Sequence, residues 1–375
     1  MRGDNVLNRG YARRTKPLLL TRSRKGARLP LLASLPRDSL VAALEKAGGT
    51  ASQARSAAER VFRHVYRDGG AWTPAALAGT GVGAWAVPTL LELDPTVSLD
   101  VHTRAPASDG TLRLALSARD GALLETVIIP APARTTVCVS SQVGCARACS
   151  FCETGMLGLT RQLDAGEIVD QVRVARREWG SRSPAIENVV FMGMGEPFDN
   201  LAEVARATHL LTDDLALGIP RSRITVSTVG VADKIAAFFA SCRAELAVSL
   251  NAPDDARRSA IMPINDRFDM GALSSAIRGA LPRGRKVLFE YVLIAGFNDA
   301  PRDADLVAAY VRDIRSRVNV IPVNPGPNPA HAAPTKETLD AFVARLASAG
   351  VTTLVRRARG QEVGGACGQL AGARR

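Results

Sequence analysis

The sequence is poor in cysteine, histidine and aromatic residues. Its 375 residues include six cysteines and four histidines, and Phe, Trp and Tyr together make up 5%. No long apolar run is present, which argues against a membrane span. The chain does not begin with the pattern of a secretory signal, because its charged head is too long and its apolar stretch LPLLASL is too short. We interpret the scattered histidines as surface or packing residues rather than metal ligands; they are His64, His102, His209 and His331.

Positive charge is concentrated at the two ends of the chain. Residues 1–30 hold nine Lys and Arg against one acidic residue, and residues 351–375 hold five Arg against Glu362. The formal net charge is +12 at pH 7, so residues 31–350 are neutral overall. Basic ends on a neutral body favour a partner that carries phosphates. We interpret residues 1–30 as a flexible basic arm, with a solvated tail or an organelle transit peptide as the alternatives.

Three of the six cysteines lie within eight residues. Cys145, Cys149 and Cys152 form a Cys-x3-Cys-x2-Cys array, and thiols this close do not easily reach good disulfide geometry. Four thiolates would indicate structural zinc or a closed iron–sulfur cluster, whereas three predict a cluster with one iron left unligated by the protein. A zinc site completed by a remote histidine is the alternative, but the paired spacings typical of structural zinc are absent.

The pattern of apolar residues changes twice along the chain. Residues 31–95 predict a small helical accessory domain, because apolar residues recur at helical spacing. In residues 96–134, apolar and polar residues alternate in stretches that are separated by turns, and this pattern predicts a β-meander. Residues 135–375 repeat a strand–loop–helix pattern with six strand-like runs and a final strand, TTLVRRAR. This predicts an α/β fold with parallel strands in an open, partial barrel of six units, with ligands at the carboxyl ends of the strands.

Short polar residues follow the predicted strands. In the turn MGMGEP, residues 192–197, glycines allow a ligand to approach the backbone beside a carboxylate that can accept from an ammonium group. Candidates for contacts to a nucleoside at later strand ends are Ser227, Ser249, Asn251 and Asn324. A helix cap is the alternative role for each of them taken alone.

The cysteine array, with Phe151 before its third cysteine, resembles the signature of radical S-adenosylmethionine (SAM) enzymes. A longer series of motifs resembles the RlmN/Cfr family of radical SAM RNA methyltransferases; in order these are CVSSQVGC, CSFC, FMGMGEP, STVG, MPIN, EYVLI, IPVNP and ACGQLAG. The match runs from about Glu125 to Leu370. It implies a partial (β/α)6 radical SAM barrel that follows the accessory domain and the β-meander in the chain.

The resemblance also implies a role for each residue that matches a family motif. The ligands of a 4Fe–4S cluster, whose fourth iron binds SAM, would be Cys145, Cys149 and Cys152. The residues implied to bind SAM are Gly195, Glu196, Ser227, Ser249, Leu250, Asn251 and Asn324. Cys367 would become S-methylcysteine, Cys138 would form a transient disulfide with it, and Glu125 would accept a proton.

The implied activity is methylation of an adenine carbon, carbon 2 rather than carbon 8, in ribosomal or transfer RNA, with two SAM molecules per turnover. The implied partners are that RNA and an electron donor such as a flavodoxin-type reductant. Free thiols and an oxygen-sensitive cluster favour the reducing cytoplasm, and we expect a monomer without a membrane partner. Two alternatives are a radical SAM enzyme with a non-RNA substrate and an RNA-binding protein with a structural cluster.

The sequence departs from the family pattern near the implied site. Asn251 stands where members usually have His, and Glu153 replaces a small residue. The motif IPVNP lacks the usual aromatic residue, and the tail GQEVGGACGQL stands where an aspartate-containing stretch is common. Because these changes flank the implied SAM pocket and methylated cysteine, they bear on the RNA target more than on the reaction type.

Overall fold

The computed structural model describes residues 32–68, 72–94 and 98–371. Within these residues the chain forms two compact units, one from Pro36–Asp94 and one from residues 32–35 and 98–371. The predicted basic arm, residues 1–30, lies outside the described residues. The predicted boundaries of the arm, the accessory domain, the meander and the core stay a prediction.

The first unit is helical, as its apolar spacing predicts. Its helices are α1 (Arg37–Lys46), α2 (Ala51–Arg63), α3 (Pro74–Gly79) and α4 (Val87–Leu91). Helix α2 begins with a capping box, in which the Gln53 amide donates to the Thr50 hydroxyl and the Thr50 amide donates to the Gln53 side chain. Fully buried apolar side chains hold the helices together, among them Leu40, Leu44, Phe62, Leu77 and Leu90.

The described part of the second unit contains a ten-stranded sheet and a two-stranded hairpin. Its strands are β1 (Leu99–Pro106), β2 (Leu112–Ala118), β3 (Leu123–Ala131), β4 (Arg134–Cys138), β5 (Gln142–Cys145), β6 (Gly158–Gln162), β7 (Ile186–Phe191), β8 (Ile224–Thr228), β9 (Glu245–Ser249), β10 (Val287–Leu293), β11 (Ser316–Pro322) and β12 (Thr353–Val355). Its helices are α5 (Glu153–Met156), α6 (Ala165–Trp179), α7 (Leu201–Thr212), α8 (Ile235–Ser241), α9 (Asp255–Ile261), α10 (Met270–Ala280), α11 (Pro301–Val311) and α12 (Lys336–Ser348).

The order of strands in the large sheet confirms the predicted α/β architecture. Strands β1, β2, β3 and β4 pair antiparallel in sequence order, so the meander extends the sheet of the core. From β4 the sheet continues through β7, β8, β9, β10, β11 and β12, and every one of these pairs is parallel. The carboxyl ends of the parallel strands therefore lie along one edge, where ligands bind in such sheets.

Helix α6 fixes the end of the first parallel strand. Its Gln171 side chain accepts from the Ser140 backbone N–H at 2.7 Å and donates to the Ser140 carbonyl at 2.9 Å. The same amide oxygen accepts from the Thr126 hydroxyl at 2.8 Å. Because all three residues are buried, these bonds are shielded from water and hold the chain rigidly where it leaves β4.

The hairpin of β5 and β6 is a feature that the sequence analysis did not predict. It pairs antiparallel and surrounds the cysteine array. At its closest point, Gly144 has φ +78°, and a Cβ there would lie 1.9 Å from the Gly158 carbonyl oxygen. Only glycine fits this position.

No described helix combines the length and apolar character needed to cross a membrane.

Candidate active site

The cysteine array forms a compact loop next to the hairpin. Cys145 ends β5, Cys149 lies in the following turn, and Cys152 directly precedes α5. Cys145 and Cys149 are buried and Cys152 is partly exposed. The Cys152 N–H donates to the Cys149 carbonyl at 3.1 Å, and Ala148 takes the left-handed conformation with φ +52° to close the turn. The structure thus brings the three predicted ligands together.

The electrostatics of these thiols fit a cationic cluster. Burial raises the pKa of Cys145 to about 12, and burial together with the charges of Cys152 and Cys145 raises the pKa of Cys149. In the described chain no group of three or more His, Cys, Asp or Glu side chains has the geometry to bind one metal ion. A 4Fe–4S cluster differs, because each thiolate binds a different iron and the sulfurs need not meet at one point. Two buried thiols and one partly exposed thiol in one loop are a donor set that such a cluster stabilises.

The glycine-rich turn after β7 packs against the hairpin. Gly195 has φ +105°, and a Cβ there would lie 2.6 Å from the Gln142 side chain. The Gln142 amide oxygen accepts from the Glu196 backbone N–H at 2.7 Å. Gln142, which sequence reasoning missed, therefore fixes the turn beside the cysteine loop.

The Glu196 side chain points into the protein and is 2% exposed. One carboxylate oxygen accepts from the Phe198 N–H at 2.9 Å, and the other accepts from the Val229 N–H at 2.8 Å. Burial raises the pKa of Glu196 to about 7, although these two backbone hydrogen bonds oppose the rise. A cation bound beside this carboxylate would favour its ionised form.

A buried arginine joins the ends of β8 and β9. Arg258 is 0% exposed and donates to the carbonyls of Val229, Ser249 and Leu250 at 2.7–3.1 Å. It also donates to the Asn265 side chain at 2.8 Å. Two of the residues predicted to bind SAM, Ser249 and Leu250, are therefore held in place by one guanidinium group.

Asn251 fastens the end of β9 to β10. It takes the left-handed conformation with φ +56°, which asparagine tolerates better than most residues. Its side-chain oxygen accepts from the Val292 N–H at 3.0 Å, and its amide nitrogen lies 3.3 Å from the Met262 sulfur. Asn298 in turn donates to the Asn251 carbonyl at 2.8 Å. The side chain at this position therefore holds the end of β9 against β10.

Two of the three thiols outside the array, Cys138 and Cys367, line the same pocket. It measures about 460 Å³ with its solvent-open part included, and Asn324 and Arg356 also line it. Burial and the neighbouring Cys367 raise the pKa of Cys138 to about 12, and the cation of Arg356 opposes this rise. Arg356 lies 3.6 Å from the Glu290 carboxylate, whose other oxygen accepts from the Ser227 hydroxyl at 3.1 Å.

Residues 360–371, called the tail segment below, place Cys367 in this pocket. Hydrogen bonds of 2.6–3.0 Å connect the tail segment to the start of α5, directly after Cys152, and to the residues that follow β11; the pairs are Glu153 to Gly368, Thr154 to Leu370, Asn324 to Cys367 and Gln369 to Pro325. A Cβ at Gly368 would lie 3.0 Å from the Phe151 carbonyl oxygen, so glycine permits this close approach. The tail thiol is thus held beside the cysteine array.

Glu125 lies on β3 under the end of the tail segment and is 0% exposed. One of its carboxylate oxygens accepts from Arg113 at 2.6 Å, and the other accepts from the Ala371 N–H at 2.8 Å. The predicted proton acceptor is therefore covered by the same segment that carries Cys367.

Comparisons with known proteins agree with this geometry. A sequence profile for the radical SAM superfamily matches residues 139–307. A probable RNA methyltransferase from Sorangium cellulosum is 64% identical over 359 residues, which cover 93% of this chain and 90% of that protein. The dual-specificity RNA methyltransferase RlmN from Syntrophobacter fumaroxidans is 41% identical and covers 84% of this chain and 91% of its own. The chain belongs to the RlmN/Cfr family.

A solved relative supports the fold of this RlmN/Cfr family member. The crystal structure of a radical SAM methyltransferase from Sphaerobacter thermophilus superposes with a TM-score of 0.81 at 38% identity, covering 91% of this chain and 99% of that one. The protein is thus a SAM-dependent radical methyltransferase, and its cofactors are a 4Fe–4S cluster and SAM. These findings confirm the predicted family, fold, enzyme class and cofactors.

The polar residues that sequence reasoning missed share one property. Each contacts the site through its side chain, and the sequence assigns none of them a role, although Gln142 and Glu290 lie within the motifs CVSSQVGC and EYVLI; they are Arg113, Gln142, Arg258, Glu290 and Arg356. A buried arginine such as Arg258 looks like an ordinary helix-surface residue in the sequence DDARRSAI. Only the tertiary structure distinguishes it.

Proposed function

We propose that the protein methylates an adenine carbon, carbon 2 rather than carbon 8, in ribosomal or transfer RNA. The observation that carries this proposal is the pocket shared by Cys138 and Cys367, because the reaction needs two thiols besides the cluster ligands. The names of the Sorangium and Syntrophobacter relatives, both called RNA methyltransferases, support RNA as the substrate.

The site residues provide the contacts that the two cofactors need. Cys145, Cys149 and Cys152 would ligate the cluster, and the Glu196 carboxylate would accept from the ammonium group of SAM. The other SAM contacts in this proposal are Gly195, Ser227, Ser249, Leu250, Asn251 and Asn324. Once bound, the cofactors supply a radical that removes a hydrogen atom from the methyl group of a methylated cysteine.

Cys367 carries the methyl group in this scheme. Carbon 2 of adenine is not nucleophilic, so a direct polar transfer from SAM fails there. The Cys367 thiolate instead attacks the methyl carbon of a first SAM and becomes S-methylcysteine. After a second SAM has been consumed, the methylene carbon on Cys367 adds to the adenine carbon. Protein and RNA are then covalently joined.

Glu125 and Cys138 release the product. The Glu125 carboxylate takes the proton from the substituted adenine carbon, and the unpaired electron that the radical addition leaves on the adduct would pass to the bound cluster. The Cys138 thiolate then attacks the Cys367 sulfur, so that an S–S bond forms while the bond between that sulfur and the methylene carbon breaks. The carbon leaves with the electron pair and takes up a proton to become the methyl group. The resulting disulfide must be reduced before another turnover.

The rim of the pocket offers a contact for RNA. Of the arginines that line it, Arg356 lies near Glu290 and Arg359 lies 3.8 Å from Asp109. Arg357 is exposed, and no residue in the described chain pairs with its guanidinium. We propose that Arg357 contacts a phosphate of the RNA. The proposal further includes a flavodoxin-type electron donor, a monomeric state and a cytoplasmic location.

The proposal is tested by comparing two cysteine variants purified from cells. Cys138→Ala should form the adduct and stall, leaving protein crosslinked to RNA on a denaturing gel until ribonuclease is added. Cys367→Ala should show no crosslink. A crosslink in Cys367→Ala, or none in Cys138→Ala when Cys367 is methylated, would overturn these roles.

The target base is tested by mass spectrometry of nucleosides from cells with and without the protein. We expect a methylated adenosine that requires the gene, and its fragmentation separates carbon 2 from carbon 8. SAM cleavage without any methylated adenosine would favour a non-RNA substrate. A cluster that supports no SAM cleavage would indicate a structural role.

A further inference from the structure

A guanidinium group lies inside the pocket that the two thiols share. Arg356 directly follows β12, and its backbone N–H donates to the Val320 carbonyl at 2.9 Å, so it continues the parallel pairing with β11. Its side chain lines the pocket together with Cys138 and Cys367. Burial raises the pKa of both thiols, and the cation of Arg356 opposes the rise in each case. Arg356 is therefore close to both thiols of the proposed reaction.

Most hydrogen-bond donors of Arg356 are not used within the described chain. A guanidinium carries N–H donors on all of its nitrogens. Its Nη1 lies 3.2 Å from the Met192 sulfur, which is a weak acceptor, and 3.6 Å from the Glu290 carboxylate, which is longer than a hydrogen bond. Because both contacts involve Nη1, the donors on Nε and Nη2 have no acceptor among the residues that the structure describes. With 27% of the side chain exposed, these donors can reach a ligand in the pocket.

A buried carboxylate lies behind this guanidinium. Glu290 is on β10 and is 6% exposed, and one of its oxygens accepts from the Ser227 hydroxyl at 3.1 Å. Its other oxygen faces Arg356 and accepts no hydrogen bond in the described chain. Because this negative charge is fixed beside Arg356, a second anion such as a phosphate is disfavoured there. A neutral acceptor meets no such repulsion, so it is the ligand that the pair favours.

Arg356 differs from the other two arginines that line the pocket. Arg357 is exposed at the rim, and Arg359 lies 3.8 Å from Asp109. Of the three, Arg356 alone lies close enough to Cys367 to affect the pKa of its thiol. Arg356 is therefore the arginine that a base held against Cys367 meets.

The target base must enter this pocket, because its carbon forms a bond to the methylene carbon on Cys367. Carbon 2 of adenine lies between the ring nitrogens N1 and N3, and both are neutral acceptors. When carbon 2 is within bonding reach of Cys367, these nitrogens come close to the groups that line the same pocket. The unused donors of Arg356 and the acceptors of the base then match.

We propose that Arg356 is a further catalytic residue, which donates a hydrogen bond to a ring nitrogen next to carbon 2 of the target adenine. This inference rests on the proposed function. A hydrogen bond from a cation withdraws electron density from the ring, so that carbon 2 accepts the electron-rich methylene carbon more readily. The new carbon–carbon bond uses the unpaired electron of the methylene carbon and one electron of a carbon–nitrogen double bond. The other electron stays on the ring until it passes to the bound cluster, and Arg356 keeps its proton throughout.

A double-mutant cycle between protein and RNA tests this contact. Adduct formation is timed in the full-length Cys138→Ala protein with its cofactors. The target adenosine of the RNA is intact, 1-deaza or 3-deaza, so that a C–H group replaces one ring nitrogen. On intact RNA, Arg356→Met should slow adduct formation by about 100-fold, as is typical for the loss of one preorganised donor. One of the two deaza RNAs should slow the parent protein by a similar factor and cause little further loss in Arg356→Met.

The controls separate this contact from a general loss of structure. Arg356→Lys keeps the charge without the fork of donors and should recover part of the rate. The matched control is Arg345→Met, since Arg345 on α12 donates to Asp305 on α11 at 2.7 Å and both side chains are exposed. It should form the adduct at the parent rate. In Arg356→Met, calorimetry should give an unchanged Kd for SAM, and peptide mass spectrometry should find Cys367 methylated.

The outcomes distinguish this inference from the proposed function. If Cys138→Ala traps no adduct with intact RNA, the proposed function fails and this inference fails with it. If the adduct forms but the losses from Arg356→Met and from each deaza RNA are additive, only the role of Arg356 fails.

Two further results would also overturn the inference. A weaker affinity for SAM or an unmethylated Cys367 in Arg356→Met would give Arg356 a role in an earlier step. A shallower salt dependence of RNA affinity in Arg356→Met, without coupling to either ring nitrogen, would assign its donors to a phosphate.

Discussion

Glu196 is a buried acidic residue of the site whose raised pKa makes its ionisation sensitive to pH near neutrality. Burial raises its pKa to about 7, so that near neutral pH it is about half ionised without a ligand. If the ammonium group of SAM binds there, SAM selects the ionised form. For each SAM molecule bound, Glu196 should then release less than half a proton on average at high pH and more than half a proton at low pH.

We therefore predict that SAM binds more weakly as the pH falls. Below about pH 7, protonation of Glu196 competes with the ammonium group, and the Kd for SAM should rise about tenfold per pH unit. Calorimetric titration between about pH 6 and about pH 8 measures this dependence. Glu196→Gln should flatten it, whereas the exposed control Glu337→Gln should leave it unchanged. If the Kd for SAM does not change with pH in the unmodified protein, the ammonium group of SAM binds elsewhere.

Single residues differ in how far the sequence predicts them. The cysteine array could be recognised because its spacing along the chain already forms the loop that brings the thiols together. Arg258 could not, because its four acceptors lie on three separate segments that meet only after the sheet has formed. The same applies to Arg113, whose contact with Glu125 depends on the register of two strands.

At the scale of elements, the tail segment is the part of the site most dependent on tertiary contacts. It contains one short 3-10 turn, Gln361–Val363, and it crosses the cysteine loop without joining the sheet. The glycines of GQEVGGACGQL favour a loop in this stretch, but they do not indicate where the loop lies. The hairpin of β5 and β6 was missed for a related reason, since Gly144 and Gly158 interrupt the apolar alternation that marks a strand.

We predict that the Gln369 side chain limits access to Cys367. Gln369 donates to the Pro325 carbonyl at 3.0 Å and accepts from the Ala366 N–H at 3.2 Å. Gln369→Ala removes both bonds, worth about 1–3 kcal/mol together, and should speed alkylation of Cys367 by about tenfold. Peptide mass spectrometry after timed treatment with iodoacetamide measures the rate. Gln361→Ala, which loses one 3.4 Å contact to Asn324, should change it far less. Equal rates of Cys367 alkylation in the two variants would argue against a role of the Gln369 side chain in limiting access to Cys367.

At the scale of the whole molecule, charge is arranged so that most arginines around the site are already paired. Within the described residues, Arg113, Arg356 and Arg359 each lie close to a carboxylate. The sequence predicted basic ends, but it could not predict which cations are neutralised locally. The fold of the core could be predicted in outline, because six apolar runs and a final strand alternate with helices, and all seven run parallel in the sheet.

The unpaired charge of Arg357 leads to a prediction about RNA binding. Arg357→Ala should make the logarithmic salt dependence of RNA affinity shallower by about 0.7–0.9, the contribution of one phosphate contact. Arg283→Ala is the matched control, because Arg283 is exposed in the turn that precedes β10, at the opposite end of the parallel strands. Filter binding at a series of salt concentrations gives both slopes. Identical slopes for the two variants would remove Arg357 from the RNA interface.

The tail segment is held in part through its own main chain. Four of its anchors use backbone atoms, namely the carbonyl oxygens of Cys367, Gly368 and Leu370 and the N–H of Ala371. Peptide groups are the same in every residue except proline, so these anchors do not depend on most of the side chains that the segment carries. Its sequence can therefore drift between relatives while the thiol stays in position. The unusual stretch GQEVGG, which lacks the aspartate expected from the family pattern, is compatible with an intact site for this reason.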